Sequence, residues 1–187
     1  YYNLAALRYI LSEDEQGKLL FDVRSKKGIG SGITHNYNLS FLGPKGDTEY
    51  TGLGKGIINM YYINEDEKDR PDVTQSHMQR YRAQVRHKWQ MDENTQMMAE
   101  YNKLSDKDFT RDYFYRQEYI NEIQPKTYVY LSNVNPSYST GFFYQNRINQ
   151  FFSETEYKPE AVLDIKNQRL FEKIPFYFKG QFSAAGL

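Results

Sequence analysis

Arg80-Tyr81-Arg82-Ala83-Gln84-Val85-Arg86-His87-Lys88-Trp89-Gln90-Met91 is the stretch that decides the fold. Its even positions are polar or cationic, and its odd positions, His87 apart, are apolar or aromatic. Side chains alternate across a strand with period two, so this run reads as one long strand with two opposite faces. Strands of soluble sheets commonly stop at about five or six residues. A strand that crosses a bilayer needs about nine to eleven, is apolar toward lipid and polar toward the lumen, and carries aromatics near the interfaces. The run therefore predicts a transmembrane strand.

Composition agrees with this reading. A mean hydropathy of -0.83 suggests a soluble or disordered chain, but 18 Tyr and 12 Phe are too many for disorder. Barrel strands hide from hydropathy because only alternate residues meet lipid. No window then reaches the eighteen or so consecutive apolar residues of a membrane helix. A formal net charge of zero argues against nucleic acid as a partner, since phosphate binding rests on a clustered cationic excess. The absence of cysteine excludes disulfides and thiolate metal sites within this stretch. The opening Tyr1-Tyr2-Asn3 and the closing Ser183-Ala184-Ala185-Gly186-Leu187 read as the ends of a piece excised from a longer protein.

The expected fold is all-β: an antiparallel meander of long hairpins forming one partial barrel domain, a curved open sheet if isolated. Strand-like runs cover 3–11, 18–25, 29–41, 49–63, 80–91, 95–104, 127–134, 138–148, 160–167 and 175–184. One short helical loop is expected near 106–118. Turns at Glu13, Pro44, Glu93 and Pro136 fall on one side, and longer loops at Asp66, Asp112 and Glu154 on the other. Outer-membrane barrels have short periplasmic turns and longer outer loops, which assigns an orientation. Lys18, Asp22 and Arg24 oppose Leu19, Phe21 and Val23, and Glu160, Asp164 and Lys166 oppose Ala161, Leu163 and Ile165. Near the end, Tyr177, Lys179 and Gln181 oppose Phe176, Phe178 and Phe182. Gly52, Gly54 and Gly56 share one face of their strand and mark a point of curvature. The run 128–132, aromatic on one face and aliphatic on the other, leaves its orientation open.

From Arg80 onward a polar-aromatic strand and a tight acidic turn lead into Ala99-Glu100-Tyr101-Asn102-Lys103-Leu104-Ser105-Asp106-Lys107-Asp108-Phe109. Asp112-Tyr113-Phe114 follows, and later Lys158-Pro159-Glu160-Ala161-Val162-Leu163-Asp164. This order resembles the LptD-type lipopolysaccharide-assembly proteins, the OstA or organic-solvent-tolerance family, over most of the chain and best from Arg80 to Phe182. Ser105, Asp106 and Phe109, and the strand entry Pro159-Glu160, carry the likeness; the Lys26-Lys27-Gly28 hairpin is similar but less specific. The resemblance implies an early part of a large barrel in the bacterial cell outer membrane. Such a barrel takes lipopolysaccharide from an LptA-type periplasmic bridge through an N-terminal domain outside this stretch. It releases the lipid through a seam between its first and last strands, and an LptE-type lipoprotein plugs it. Outer-membrane lipid is the remaining partner, and neither catalysis nor a cofactor is implied. The prolines that the family carries in its first barrel strands have no counterpart before Pro44.

Lumen-facing candidates for cargo or plug contact are Arg80, Arg82, Gln84, Arg86, Lys88, Glu100 and Asp164. The cations suit phosphates of a lipid head group. They equally suit pairing with carboxylates on neighbouring strands, Glu100 among them. Ser105 with Asp108 fits a capping box that opens a short helix. Asp106, Asp108 and Asp112 lack the ordered oxygen ligands of a calcium loop, so no metal site is expected. Gly28-Ile29-Gly30-Ser31-Gly32 follows a hairpin turn and precedes no helix, unlike a nucleotide loop. His35, His77 and His87 are scattered, and no Gly-x-Ser-x-Gly turn supplies a nucleophile, so no catalytic residue is assigned. The alternatives are a porin or receptor barrel, which conducts small solutes, and a soluble carbohydrate-binding sandwich that stacks sugars on its aromatics.

Overall fold

The computed structural model describes residues 2–25, 27–41, 51–65, 79–115, 119–121, 124–153, 155–169 and 175–186. Ten antiparallel strands follow one another in sequence order through a single sheet. They are β1 (Tyr2–Ile10), β2 (Glu15–Arg24), β3 (Gly28–Phe41), β4 (Thr51–Asn64), β5 (Gln79–Gln90) and β6 (Thr95–Leu104). After helix α1 (Phe109–Tyr113) and a single 3-10 turn (Tyr119–Asn121) come β7 (Tyr128–Val134), β8 (Tyr138–Gln145), β9 (Tyr157–Arg169) and β10 (Tyr177–Ala185). The sheet is open, with β1 and β10 as its edges. This is the expected all-β meander with one short helical loop.

Local chemistry explains where strands turn and bend. Between β5 and β6 the Asp92 carboxylate accepts hydrogen bonds from the backbone N–H of Asn94 and of Thr95, both at 2.8 Å, and so ties the turn to itself. Those bonds hold the Asp92 carboxyl below its usual range. The bend expected at the glycines is present: the β3–β4 register shifts between Asn38 and Ser40, opposite Gly52 (φ 117°) and Gly54 (φ 80°). Both angles lie in the left-handed region that glycine tolerates. A second shift, between Phe143 and Gln145 on β8, falls opposite Pro159, which has no N–H to give to the ladder.

Several details differ from the sequence reading, among them β2, which begins at Glu15 rather than Lys18. Strand β8 stops at Gln145, because residues 146–149 turn toward the end of β6. There β7 has not yet begun, and the Asn149 side chain takes its place: it accepts from Leu104 N–H and donates to the Asn102 carbonyl, both at 2.9 Å. Strand β9 starts at Tyr157 and runs thirteen residues, longer than expected. The capping box at Ser105 does not form. Asp108 is the N-cap and makes no side-chain cap bond. Ser105 instead gives its N–H to Tyr81 O at 2.9 Å and its hydroxyl to Asp106 at 2.7 Å. The turn at Pro44, the loops at Asp66 and Glu154, Lys26 and His77 lie outside the described residues.

Candidate functional site

The sheet has an inner face, on which the α1 loop lies, and an outer face opposite it. Arg80, Arg82 and Gln84 of β5 are buried on the inner face, while Tyr81 between them is exposed on the outer one. Register carries this division across the strands. Phe21, Tyr62 and Tyr81 align on the outer face, as do Trp89, Met97, Leu131 and Phe142. Phe21, Val23, Ile29, Met60, Tyr62, Tyr101, Leu131 and Phe182 are all exposed there. The open case of β7 is thereby decided: Val129 and Leu131 are exposed with the outer set, and Tyr128 and Tyr130 lie half-buried on the inner face beside Glu100 and Met98.

At the α1 end of the inner face the loop after β6 folds over the sheet. Five-residue α1 is too short to hold itself, and it is pinned by Phe109, which is fully buried against Tyr61, Ile63 and Leu104. Tyr61 meets Phe109 edge-on at 6.2 Å and Phe114 at 5.4 Å between ring centres. Beneath these rings lies Arg80, only 1% exposed. Its Nε and Nη2 form a fork on the Asp106 carboxylate at 2.8 and 2.7 Å, and its Nη1 donates to Glu65 at 2.7 Å and to Asp112 at 2.8 Å. A buried guanidinium needs such partners for its donors, and a fork on one carboxylate is the strongest of them. Burial pushes the Asp106 carboxyl upward, but the bonds from Arg80 and Ser105 more than reverse this, and it titrates below the usual range. The Tyr113 hydroxyl donates to Glu65, and burial first, then that carboxylate, raises it well above a normal phenol. Beside it Tyr61 donates to Asp22 at 2.6 Å, and Arg82 stacks over Phe114 at 4.0 Å. The whole is a latch that fastens the loop to the strands.

The turn end of the inner face is more open. Arg86 pairs with Glu100 at 2.8 Å, the partner its sequence position pointed to, and Gln84 accepts from Asn59 Nδ2 at 2.9 Å. Lys88 is exposed. Asp164 lies half-buried on β9 opposite Ser139 and Gln181. Glu160 shares a rung with Lys88 but stands four strands away, roughly 19 Å by strand spacing. Pro159 is exposed beside it. The structure thus brings Arg80, Ser105, Asp106 and Phe109 into one cluster and leaves Glu160 and Asp164 apart. Glu65, Asp112 and Tyr61 were missed as members of the latch; the sequence signal for Glu65 was its place directly after a polar strand end.

The outer face carries a ring ladder at the turn end. Tyr9 OH bonds His35 Nδ1 at 2.9 Å and Tyr37 OH bonds His87 Nδ1 at 2.8 Å, with His35 and Tyr37 stacked between them. Each tyrosine lies across a glycine, Gly17 and Gly56 respectively, where an added Cβ would meet the phenol at 2.5 Å. His35 and His87 therefore each have a tyrosine partner two strands away. Among the described residues no group of three His, Asp or Glu side chains converges to hold a metal ion, and no helix is long and apolar enough to cross a membrane. No family model matches the chain, and no curated protein matches it.

Proposed function

We propose that this chain is part of the barrel of an outer-membrane lipopolysaccharide-assembly protein of LptD type, acting as conduit and scaffold rather than as catalyst. The observation that carries the membrane part is the sorting of side chains from β2 to β10: polar groups gather on the inner face, where those under the α1 loop are buried, and the outer face exposes mostly aromatic and aliphatic side chains. An apolar patch spanning so many strands is costly in water and stable against acyl chains. The order of motifs from Arg80 to Phe182 supports the narrower assignment to lipopolysaccharide export. On this reading the inner face passes the sugars and phosphates of the lipid while its acyl chains stay in the membrane. The partners are lipopolysaccharide, a plug lipoprotein and a periplasmic bridge.

The test is site-specific photo-crosslinking in living Gram-negative cells that express the complete gene product. Asn36 is exposed on the inner face and Met60 on the outer. Lipopolysaccharide or a lipoprotein captured at Asn36, with only bulk phospholipid at Met60, is the expected result. Passage of small solutes with no lipopolysaccharide at Asn36 would replace export by a porin function. A protein that is monodisperse and folded in plain buffer would replace both by a soluble sandwich.

A further inference from the structure

The inner face of β7, β8 and β9 carries a hollow that belongs neither to the latch nor to the cationic strands before it. Tyr130, Phe143 and Glu160 stand opposite one another in one row across these strands, Ser132, Gly141 and Val162 in the next, and Val134, Ser139 and Asp164 in the third. Gly141 is the cause of the hollow. A Cβ added there would meet nothing within 4 Å. The middle of the block is therefore open, with a volume of about 410 Å³, enough for a small molecule. Tyr130, Phe143, Glu160 and Val162 line it. So does Ser132, which is only 4% exposed and whose hydroxyl has no hydrogen-bond partner. A buried hydroxyl left unpaired is costly, and a ligand that bonds to it removes the cost.

The charges narrow the ligand. Glu160 and Asp164 are half-buried, and among the described residues no cation pairs with either. The other carboxylates of this face are matched, Glu100 with Arg86, and Asp106 and Asp112 with Arg80. Lys166 follows Asp164 on the same face, but its ammonium donates to the Asn135 carbonyl at 2.6 Å. Glu160 and Asp164 lie about 13 Å apart along β9, at about 3.3 Å per residue. That is too far for one metal ion to bridge, since its oxygen ligands sit at about 2.0–2.6 Å. An organic cation with an amine at each end can span it, and the ring faces of Tyr130 and Phe143 attract such groups. We propose that the hollow binds a linear polyamine. One end ammonium meets Glu160 beside Phe143, the other meets Asp164, and the methylenes lie over Gly141 and Val162. A middle nitrogen donates to the Ser132 hydroxyl. Spermidine has this make-up and a similar reach. The inference goes beyond the export reading and does not rest on it.

Isothermal titration calorimetry of the complete gene product in detergent tests it, with spermidine, a straight-chain diamine of equal length, butylamine and magnesium chloride as probes. The wild type is expected to bind spermidine at concentrations at least tenfold below those needed for butylamine or magnesium. Spermidine should also bind more tightly than the diamine, a preference that Ser132→Ala removes; equal binding of the two by the wild type would overturn the part given to Ser132. Gly141→Leu fills the hollow and leaves both carboxylates in place. Its side chain enters open space from a backbone outside the left-handed region. It should therefore melt as the wild type does and yet bind spermidine at least tenfold more weakly. Glu160→Gln/Asp164→Asn should show the same loss, and if that double variant does not fold, Gly141→Leu alone decides. Magnesium held as tightly as spermidine, or unchanged affinity in Gly141→Leu, would overturn the proposal, the carboxylates then collecting counterions only. Failure of the wild type to bind spermidine would overturn it too, whatever lipopolysaccharide capture at Asn36 shows about export.

Discussion

Arg80 is the residue on which the inner face is organised. Its guanidinium holds a strand, through its own backbone, to three carboxylates of two connecting segments, Glu65, Asp106 and Asp112. Removing one partner of a buried ion network leaves the others charged and desolvated, at a cost of about 3–5 kcal/mol. We therefore expect Arg80→Met to lower stability by that order in a denaturant titration in detergent. Arg80→Lys should recover only part of it, because a single ammonium cannot make the fork on Asp106 while reaching Glu65 and Asp112. Full stability of the lysine variant would show that net charge alone matters here. The same cluster sets a pH dependence. The bonds from Arg80 and Ser105 hold the Asp106 carboxyl below the usual carboxylate range in the folded chain. A lowered folded value means that its contribution is complete above about pH 4 and is lost as pH falls through that lower value. The chain has no cysteine, so a spin label on Lys107→Cys, an exposed position in the loop, reports the latch without interference. Its spectrum should be constant from neutral pH to about pH 4 and become more mobile only below that, and in Asp106→Asn it should be mobile at every pH.

At the scale of elements, strands and loop differ in how they are specified. A strand is written locally: the alternation from Arg80 to Met91 reappears as a buried Arg80, Arg82 and Gln84 beside an exposed Tyr81. That is why all ten strands were legible, and why the polar set of β5 was legible as the inner one. The loop is written non-locally. Ser105 and Asp108 have the spacing of a capping box, but Ser105 is drawn into β5 by Tyr81 and to Asp106, and the helix starts after Asp108 instead. Nothing in the sequence near Asp112 says that it meets Arg80, thirty-two positions back, because that contact depends on Phe109 dropping between Tyr61 and Leu104. The tyrosine–histidine bonds were hidden for the same reason, since they span two strands and need a glycine between them. Phe109 is accordingly the fastener of the element. Phenylalanine to alanine in a packed cluster costs about 3–5 kcal/mol, more than a single-turn helix returns. Phe109→Ala should release the loop while the sheet persists: trypsin is expected to cut after Lys107 or Arg111 in the variant but not in the wild type, with strand circular dichroism unchanged. Loss of the strand signal with the loop would mean that the latch is part of the sheet's own core.

The whole molecule is a sheet whose two faces want different surroundings. Its inner face is covered at one end by its own loop and is cationic at the other, and its outer face exposes aromatic and aliphatic side chains from β2 to β10. Strands β1 and β10 also present unpaired edges, which in water invite pairing with other chains. A soluble sandwich would cover such a face with a second sheet, and no second sheet is present among the described residues. The chain carries one tryptophan, Trp89, which makes the question measurable without labelling. Trp89 aligns with Met97, Leu131 and Phe142 on the outer face, next to the turn that closes β5 onto β6. Indole rings favour the region between acyl chains and head groups. In phospholipid vesicles its emission should therefore be quenched by brominated acyl chains, most strongly when bromine lies close to the head group and weakly when it lies at the bilayer centre. A charge placed on the same face near mid-strand, Ala83→Arg, should impair insertion by about 2–4 kcal/mol, whereas the same change at Asn36 on the inner face should leave insertion intact. Equal effects at the two positions, or a Trp89 that brominated lipid does not reach, would mean that the apolar face meets protein rather than membrane.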